Sequence, residues 1–139
     1  MSPREPVDRV TDFVRAHGGG VVATSSGTGC PESAWINLAA LGDGRLVFGT
    51  NERSRKYANL LADPRVSLVV VSGTGQEFQL EGEAAVLEGP AARDAGEVLE
   101  SRHPGATGKT STRLVAVRCR WARFVDIAVE PPVREEFTL

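Results

Sequence analysis

The segment Gly49-Thr-Asn-Glu-Arg-Ser-Arg-Lys56 joins a predicted strand to a predicted helix. Ser54 is a residue type that caps helix N-termini, and the apolar helix face that follows ends before Asp63-Pro64. Arg55 and Lys56 place two cations in the first turn, where the helix dipole prefers carboxylates by about 0.3–1 kcal/mol. A bound anion would resolve this conflict, because free N–H groups, the dipole and both side chains would attract it. Phosphate is the natural candidate, and a solvated pair of surface cations is the alternative.

The composition of the chain is that of an ordinary globular protein. Its 139 residues are 41% apolar and 24% charged, which predicts one domain, residues 1–139, with a core that needs no disulfide or metal. The net charge of −2 gives no basic field, so no nucleic-acid partner is expected. No apolar run approaches the roughly 20 residues of a membrane span. We therefore expect a cytoplasmic protein with no membrane partner.

The cysteines and histidines do not indicate a metal site or a catalytic group. Cys30 and Cys119 lack the spacing of metal ligands, and reduced thiols fit the expected location. Cys30 lies in a predicted turn, where an inert thiol is expected, and Cys119 alternates with core residues. His17 and His103 stand alone in the sequence, so neither a metal site nor a catalytic triad is predicted.

Short apolar segments between glycine-rich turns predict a mainly β fold with a few helices. Helices are predicted at 7–17, after Ser54 and at 90–102, and an extended tail at 130–139. The predicted strands are 20–25, 33–39, 45–50, 65–71, 77–87 and 113–126. Six or seven antiparallel strands in a chain of this size predict a closed or nearly closed barrel. Side chains fill the interior of so small a barrel, so a nucleotide would bind outside it.

Two features concern the geometry of the last predicted strands. Gly82 interrupts the run 77–87, and a glycine inside a long strand indicates a bulge or a sharp bend. Strict alternation along 113–126 places Val115, Val117, Cys119 and Trp121 on one face.

The central part of the chain resembles a known family. Phe48 to Lys56, followed by Asn59-Leu-Leu-Ala-Asp-Pro-Arg-Val-Ser-Leu68, is similar to the signature of the pyridoxamine 5'-phosphate oxidase-like flavoproteins, the FMN-binding split barrels. Gly29-Cys-Pro-Glu-Ser-Ala34 and Phe78-Gln-Leu-Glu-Gly-Glu-Ala84 stand in the expected order and spacing. The resemblance is good from about Val21 to Leu87 and looser in the final strand. It implies a six- to seven-stranded antiparallel split β-barrel.

The resemblance also implies a site for FMN. The position of Thr50 contacts the flavin, Arg55 and Lys56 hold the phosphate, and Ser54 adds a hydroxyl or only caps the helix. The second strand would run beneath the isoalloxazine ring, where Trp35 could stack on or wall the flavin, or belong to the core or an interface. The expected cofactor-binding residues are Ala34, Trp35, Ile36, Asn37, Gly49, Thr50, Ser54, Arg55, Lys56 and Gln79.

Two glutamines are candidates for a contact with the flavin ring. A glutamine before the strand glycine often contacts the ring in this family. Gln79 or Gln76 could do so here, but the family position lies nearer Glu77.

The family pairs two subunits with FMN in the groove between them, so the resemblance implies a homodimer and a redox reaction on a small molecule. No catalytic side chain is identified. The tail 134–139 lacks the Arg/His segment that would hold a pyridoxamine phosphate, so the oxidase activity itself is not expected. One alternative is a reductase that uses the deazaflavin coenzyme, with Arg53 and Lys109 extending the basic cluster. Another is a flavin- or haem-binding carrier or sensor without turnover.

Overall fold

The computed structural model describes residues 4–139, so residues 1–3 of the predicted domain lie outside the described residues. Three helices occur in this part of the chain: α1 (Pro6–His17), α2 (Arg55–Ala62) and α3 (Gly89–Arg102). Its eight strands are β1 (Gly19–Ser25), β2 (Pro31–Asn37), β3 (Ala39–Ala40), β4 (Leu46–Asn51), β5 (Arg65–Val71), β6 (Gln76–Val86), β7 (Thr112–Asp126) and β8 (Val133–Thr138). Within residues 4–139, the helices are too short or too polar to cross a membrane.

All of these strands belong to one antiparallel sheet. The order along the sheet is β2-β1-β5-β6-β7-β4-β3, and β8 also pairs with β7. Strand β7 has 15 residues, so its first half pairs with β4 and its second half with β8. The predicted mainly β, antiparallel barrel-type architecture is confirmed. The described range has eight strands instead of six or seven, because β3 separates from β2 at Leu38 and the extended tail pairs as β8.

The main hydrophobic core lies on one face of this sheet. Helix α1 packs Val10 and Val14 into it, and these side chains are 2% and 1% exposed. The fully buried side chains from the sheet include Val22, Leu46, Phe48, Val70, Leu80 and Val117. Side chains therefore fill the interior, as expected for a barrel of this size.

The pairing between β6 and β7 is irregular at Gly82. The register shifts between Glu81, which pairs with Trp121, and Gly82, which pairs with Cys119. A Cβ atom at position 82 would lie 2.3 Å from the carbonyl oxygen of Arg118, so only glycine fits this close approach of two backbones. Of the two predicted irregularities, a bulge or a sharp bend, the structure has a bulge, and its extra residue lies on β7.

The bulge residue Arg120 changes which side chains of β7 face the core. Val115 and Val117 are buried in the core before it, and Ala122 is buried after it. The prediction that Trp121 shares the face of Val115 is wrong, because the extra residue turns Trp121 to the outer face of the sheet.

Candidate functional site

Helix α2 starts directly after β4 at a hydrogen-bonded turn. Thr50 is 4% exposed, and its hydroxyl oxygen lies 2.8 Å from that of Ser54. Ser54 accepts a hydrogen bond of 3.2 Å from the N–H of Tyr57, so the predicted N-cap is confirmed. The first turn contains no acidic residue. The positive end of the helix dipole therefore meets the two cations Arg55 and Lys56 without compensation inside the helix.

A cleft of about 170 Å³ lies between the start of α2 and the strands β1 and β2. Its walls include Thr24, Glu32, Ala34, Ser54, Arg55 and Lys56. Because a water molecule takes about 30 Å³ in the liquid, this volume accommodates a phosphate-sized group. The structure thus brings Ala34, Ser54, Arg55 and Lys56 together, with Thr50 bonded to Ser54.

The cleft contains a carboxylate that sequence reasoning missed. Glu32 Oε2 lies 3.1 Å from Arg55 Nη1, and Glu32 Oε1 accepts a 2.7 Å hydrogen bond from Asn59 Nδ2. The same nitrogen of Asn59 donates to Thr24 Oγ1 at 3.0 Å. The side chain of Glu32 is 18% exposed and that of Arg55 is 77% exposed. The carboxylate is therefore held by the wall of the cleft, and the guanidinium reaches it from the solvent side.

The hairpin register and the burial of Asn59 account for this contact. Thr24 and Glu32 lie directly opposite each other on β1 and β2. Asn59 is 7% exposed beside Leu60 on the buried face of α2, and a buried amide needs a polar partner. Lys56 is half-buried and forms no ion pair with any residue in the range 4–139.

Strand β2, which the resemblance places beneath a flavin ring, is an edge of the sheet. It pairs with β1 on one side, so its other edge has no strand partner among residues 4–139. Trp35 is 65% exposed and Asn37 is also exposed, whereas Ile36 is 4% exposed and packs into the core. Ile36 can therefore contact a ligand at this edge only through its backbone, because its side chain is buried in the core.

Gly49 and Gln79 are not among the walls of the cleft. Gly49 is half-buried in β4, and a Cβ atom there would lie 3.1 Å from Thr112 Cγ2. Gln79 Nε2 donates a 3.1 Å hydrogen bond to Glu77 Oε2. Gln79 lies in a separate groove of about 320 Å³ on the outer face of the sheet, which is also lined by Val21, Ala23, Ser67, Val69 and Trp121.

The outer face carries a row of residues that lie opposite one another on adjacent strands. In order, these residues are Trp35, Val21, Val69, Gln79 and Arg123. The Nε atom of Arg123 is buried but has no hydrogen-bond partner within residues 4–139. A buried donor left unpaired costs about 1–3 kcal/mol. A group from outside this chain would remove that cost.

The cysteines and histidines lie outside the cleft. Cys30 is exposed, whereas burial raises the pKa of the Cys119 thiol to about 11 and keeps it protonated at neutral pH. The ring of His17 packs against that of Phe13 in a tilted arrangement with centroids 4.4 Å apart, and His103 Nε2 lies 2.9 Å from the carbonyl oxygen of Leu38. In the part of the chain that the structure describes, no group of three or more His, Cys, Asp or Glu residues could hold a metal ion.

Comparison with models of protein families identifies the family of this chain. The family model described as pyridoxamine 5'-phosphate oxidase matches residues 7–126. The chain belongs to the pyridoxamine 5'-phosphate oxidase-like family. The family match includes the cleft and the groove on the outer face described above. No functionally curated protein matches the chain.

Solved structures share the fold of this family member. A conserved hypothetical protein from Mycobacterium tuberculosis is 26% identical, with a TM-score of 0.74 over 91% of this chain and 86% of its own. A pyridoxamine 5'-phosphate oxidase-related, FMN-binding protein from Nostoc punctiforme is 13% identical, with a TM-score of 0.73 over 99% and 93%. A haem-binding protein from Mycobacterium smegmatis is 16% identical, with a TM-score of 0.74, and this chain covers 60% of it. The predicted split-barrel fold is confirmed.

Proposed function

We propose that this protein binds FMN and acts as an oxidoreductase on a small-molecule substrate. The observation that carries the proposal is the cleft in which Arg55 and Lys56 meet the acid-free first turn of α2. Within residues 4–139, the backbone N–H groups of both residues have no hydrogen-bond partner, so both can donate to an anion. Family membership and the FMN-binding neighbour from Nostoc punctiforme support a flavin as the ligand.

In this proposal each residue of the site has a defined task. Lys56 supplies a compact charge to the phosphate and Arg55 supplies guanidinium donors. Ser54 holds the helix start through its contacts with Thr50 and Tyr57. Bound FMN supplies hydride transfer through its ring, and the protein supplies position and shielding from water.

The ring would lie along the free edge of β2. Its polar edge would meet the backbone of Ala34, Ile36 and Asn37, and the exposed indole of Trp35 would wall its apolar part. Thr50 and Gly49 would flank the ring from the end of β4, as the resemblance implies. No side chain is assigned as an acid or a base.

The proposal includes a homodimer with the cofactor in the groove between the subunits. Trp35 is 65% exposed at one end of the outer row, which is a large apolar side chain to leave in water. Arg123, on β7 in the same row, has a buried Nε without a partner in the described part of its own chain. Gln79 lies between them, outside the phosphate cleft. A second copy on this face would cover Trp35 and let Gln79 approach a cofactor held by its partner.

Titration of the purified protein with FMN and with riboflavin, followed by flavin fluorescence, tests the phosphate site. FMN should bind at least about tenfold more tightly than riboflavin, because tenfold is about 1.4 kcal/mol and a hydrogen bond to a charged group contributes as much. The Lys56→Ala variant should lose most of this preference. Arg93→Ala, which removes an exposed cation from α3, is the control and should keep it. Equal affinities for FMN and riboflavin in the unaltered protein would contradict the proposal.

A second candidate function is a reductase that uses the deazaflavin coenzyme. The turn before α2 is bonded to the loop before β7, since Glu52 N–H donates to the Ser111 carbonyl at 3.0 Å and Asn51 Nδ2 donates to Ser111 Oγ at 3.2 Å. This contact brings the loop of Lys109 beside the turn of Arg53 and supports a longer basic groove. Tighter binding of the deazaflavin coenzyme than of FMN would favour this candidate.

A measurement of catalytic turnover distinguishes an enzyme from a flavin- or haem-binding carrier or sensor. The haem-binding neighbour is 16% identical and shares the fold alone. Stoichiometric flavin binding without oxidation of NADPH or of the reduced deazaflavin would favour a carrier. Steady oxidation of either reductant would establish an enzyme.

A further inference from the structure

The carboxylate of Glu32 lies where an anion in the cleft would meet Arg55, with Glu32 Oε2 only 3.1 Å from Arg55 Nη1. We infer that Glu32 is a specificity-determining residue that matches the cleft to a singly charged phosphate and weakens the binding of a doubly charged one. This inference rests on the proposed phosphate site. In this inference FMN still binds through Arg55 and Lys56, but Glu32 lowers its affinity below what these two cations alone would give. A flavin-type cofactor attached through a phosphodiester loses less affinity to this carboxylate than one with a terminal phosphate.

Glu32 is fixed in the wall of the cleft, whereas Arg55 is free to move. Asn59 donates to Glu32 at 2.7 Å and to Thr24 at 3.0 Å, and Asn59 and Thr24 are 7% and 4% exposed. Moving the carboxylate away would leave a buried amide without one of its partners. The Arg55 side chain, at 77% exposed, can instead turn to an arriving phosphate while Glu32 stays in place.

The charges in the cleft determine which phosphate fits. Arg55 and Lys56 bring two positive charges, and Glu32 offsets one of them. A phosphate monoester carries about −1.5 to −2 charge at pH 7, whereas a phosphodiester carries one negative charge. A phosphate bound to Arg55 would lie within a few Å of the fixed carboxylate, where like charges repel with little screening. The repulsion grows with the charge of the phosphate.

The experiment compares three flavins that differ in charge on the unaltered protein and on Glu32→Gln. The ligands are riboflavin, the singly charged methyl ester of FMN, and FMN. Glutamine keeps an oxygen that can accept from Asn59 and removes the negative charge. Glu32→Gln should tighten FMN about tenfold and the ester about threefold, and should leave riboflavin unchanged, since Coulomb repulsion scales with ligand charge.

Asp43→Asn is the matched control. Asp43 also pairs with an arginine, since Arg45 Nε donates to its carboxylate at 2.8 Å, but this pair lies in the turn before β4 and not in the cleft. Its loss should leave all three affinities unchanged. Glu32→Ala is the second variant for the case that Glu32→Gln does not fold, and it should change the three affinities in the same order.

The possible results separate this inference from the proposed function. Equal changes for FMN and its methyl ester, or weaker FMN binding by Glu32→Gln, would overturn the inference and leave the phosphate site in place if the unaltered protein prefers FMN to riboflavin. If neither protein distinguishes FMN from riboflavin, both the phosphate site and the role of Glu32 are overturned. A graded gain that follows ligand charge supports both.

Discussion

Asn59 connects the three elements that form the cleft. It lies on the buried face of α2, and its amide nitrogen donates to Glu32 on β2 and to Thr24 on β1. A buried amide is tolerated there because these bonds replace those that it would make with water. The position of the carboxylate in the cleft therefore depends on one interior side chain.

Replacing this amide by a hydrocarbon of similar size should destabilise the protein. Asn59→Leu leaves the buried acceptors on Glu32 and Thr24 without their donor, so we expect a loss of about 1–3 kcal/mol in the free energy of unfolding. Urea denaturation measures this loss. Asn37→Leu, at an exposed position of β2, should stay within about 0.5 kcal/mol. Equal stability of the two variants would show that the amide bonds contribute nothing.

The residues of the site differ in how far sequence reasoning could identify them. The Ser54 cap and the cations Arg55 and Lys56 follow from neighbours within one helical turn, so they were predictable. Glu32 was not, because its partner Asn59 is 27 residues away and the contact exists only after β1, β2 and α2 have packed together.

In strand β7, a bulge breaks the alternation of inward and outward side chains that the sequence pattern predicts. Its inward face changes at the bulge residue Arg120, so strict alternation gave the correct face for Val115 and Val117 and the wrong face for Trp121. Gly82 indicated an irregularity, but the extra residue lies on the opposite strand. A glycine can mark where two strands approach closely, and it does not show which of them carries the bulge.

Adding a methyl group at Gly82, where β6 and β7 approach closely, should lower the free energy of unfolding. Gly82→Ala would place a Cβ atom 2.3 Å from the Arg118 carbonyl oxygen, so the backbones must separate, with an expected loss of about 1–3 kcal/mol or more. Chemical denaturation of Gly82→Ala measures this loss. Gly27→Ala is the control, since nothing lies within 4 Å of a Cβ atom at Gly27. The control should change stability by no more than about 0.5 kcal/mol. A Gly82→Ala protein as stable as the control would contradict the close approach.

For the whole molecule, the order of strands and turns was enough to predict an antiparallel barrel. The β4–α2 junction then identified the family, which the match over residues 7–126 confirms. The outer face of the sheet was less accessible to sequence reasoning, because its row from Trp35 to Arg123 is assembled from five strands. Only the register of all these strands reveals that the exposed indole shares one surface with Arg123, whose Nε has no hydrogen-bond partner within residues 4–139.

A charge placed on this surface should prevent the proposed dimer. Trp35→Glu puts a carboxylate where a second copy would bury it, and we expect a shift from dimer to monomer with weaker FMN binding. Sedimentation velocity at micromolar concentration measures the shift. Ile127→Glu is the control, since Ile127 is 66% exposed in the segment after β7. Identical sedimentation of the two variants would argue against an interface at Trp35.

The contrast between the exposed Arg55 and the anchored Glu32 has a consequence for how fast the site can open. Exposed side chains change rotamer within picoseconds to nanoseconds, whereas collective motions of strands and helices take microseconds to milliseconds. Turning Arg55 from the carboxylate to a ligand therefore requires no collective motion of the strands and helices. The rearrangement that frees Arg55 for a ligand is then confined to one side chain, while Glu32 and the strands behind it keep their positions.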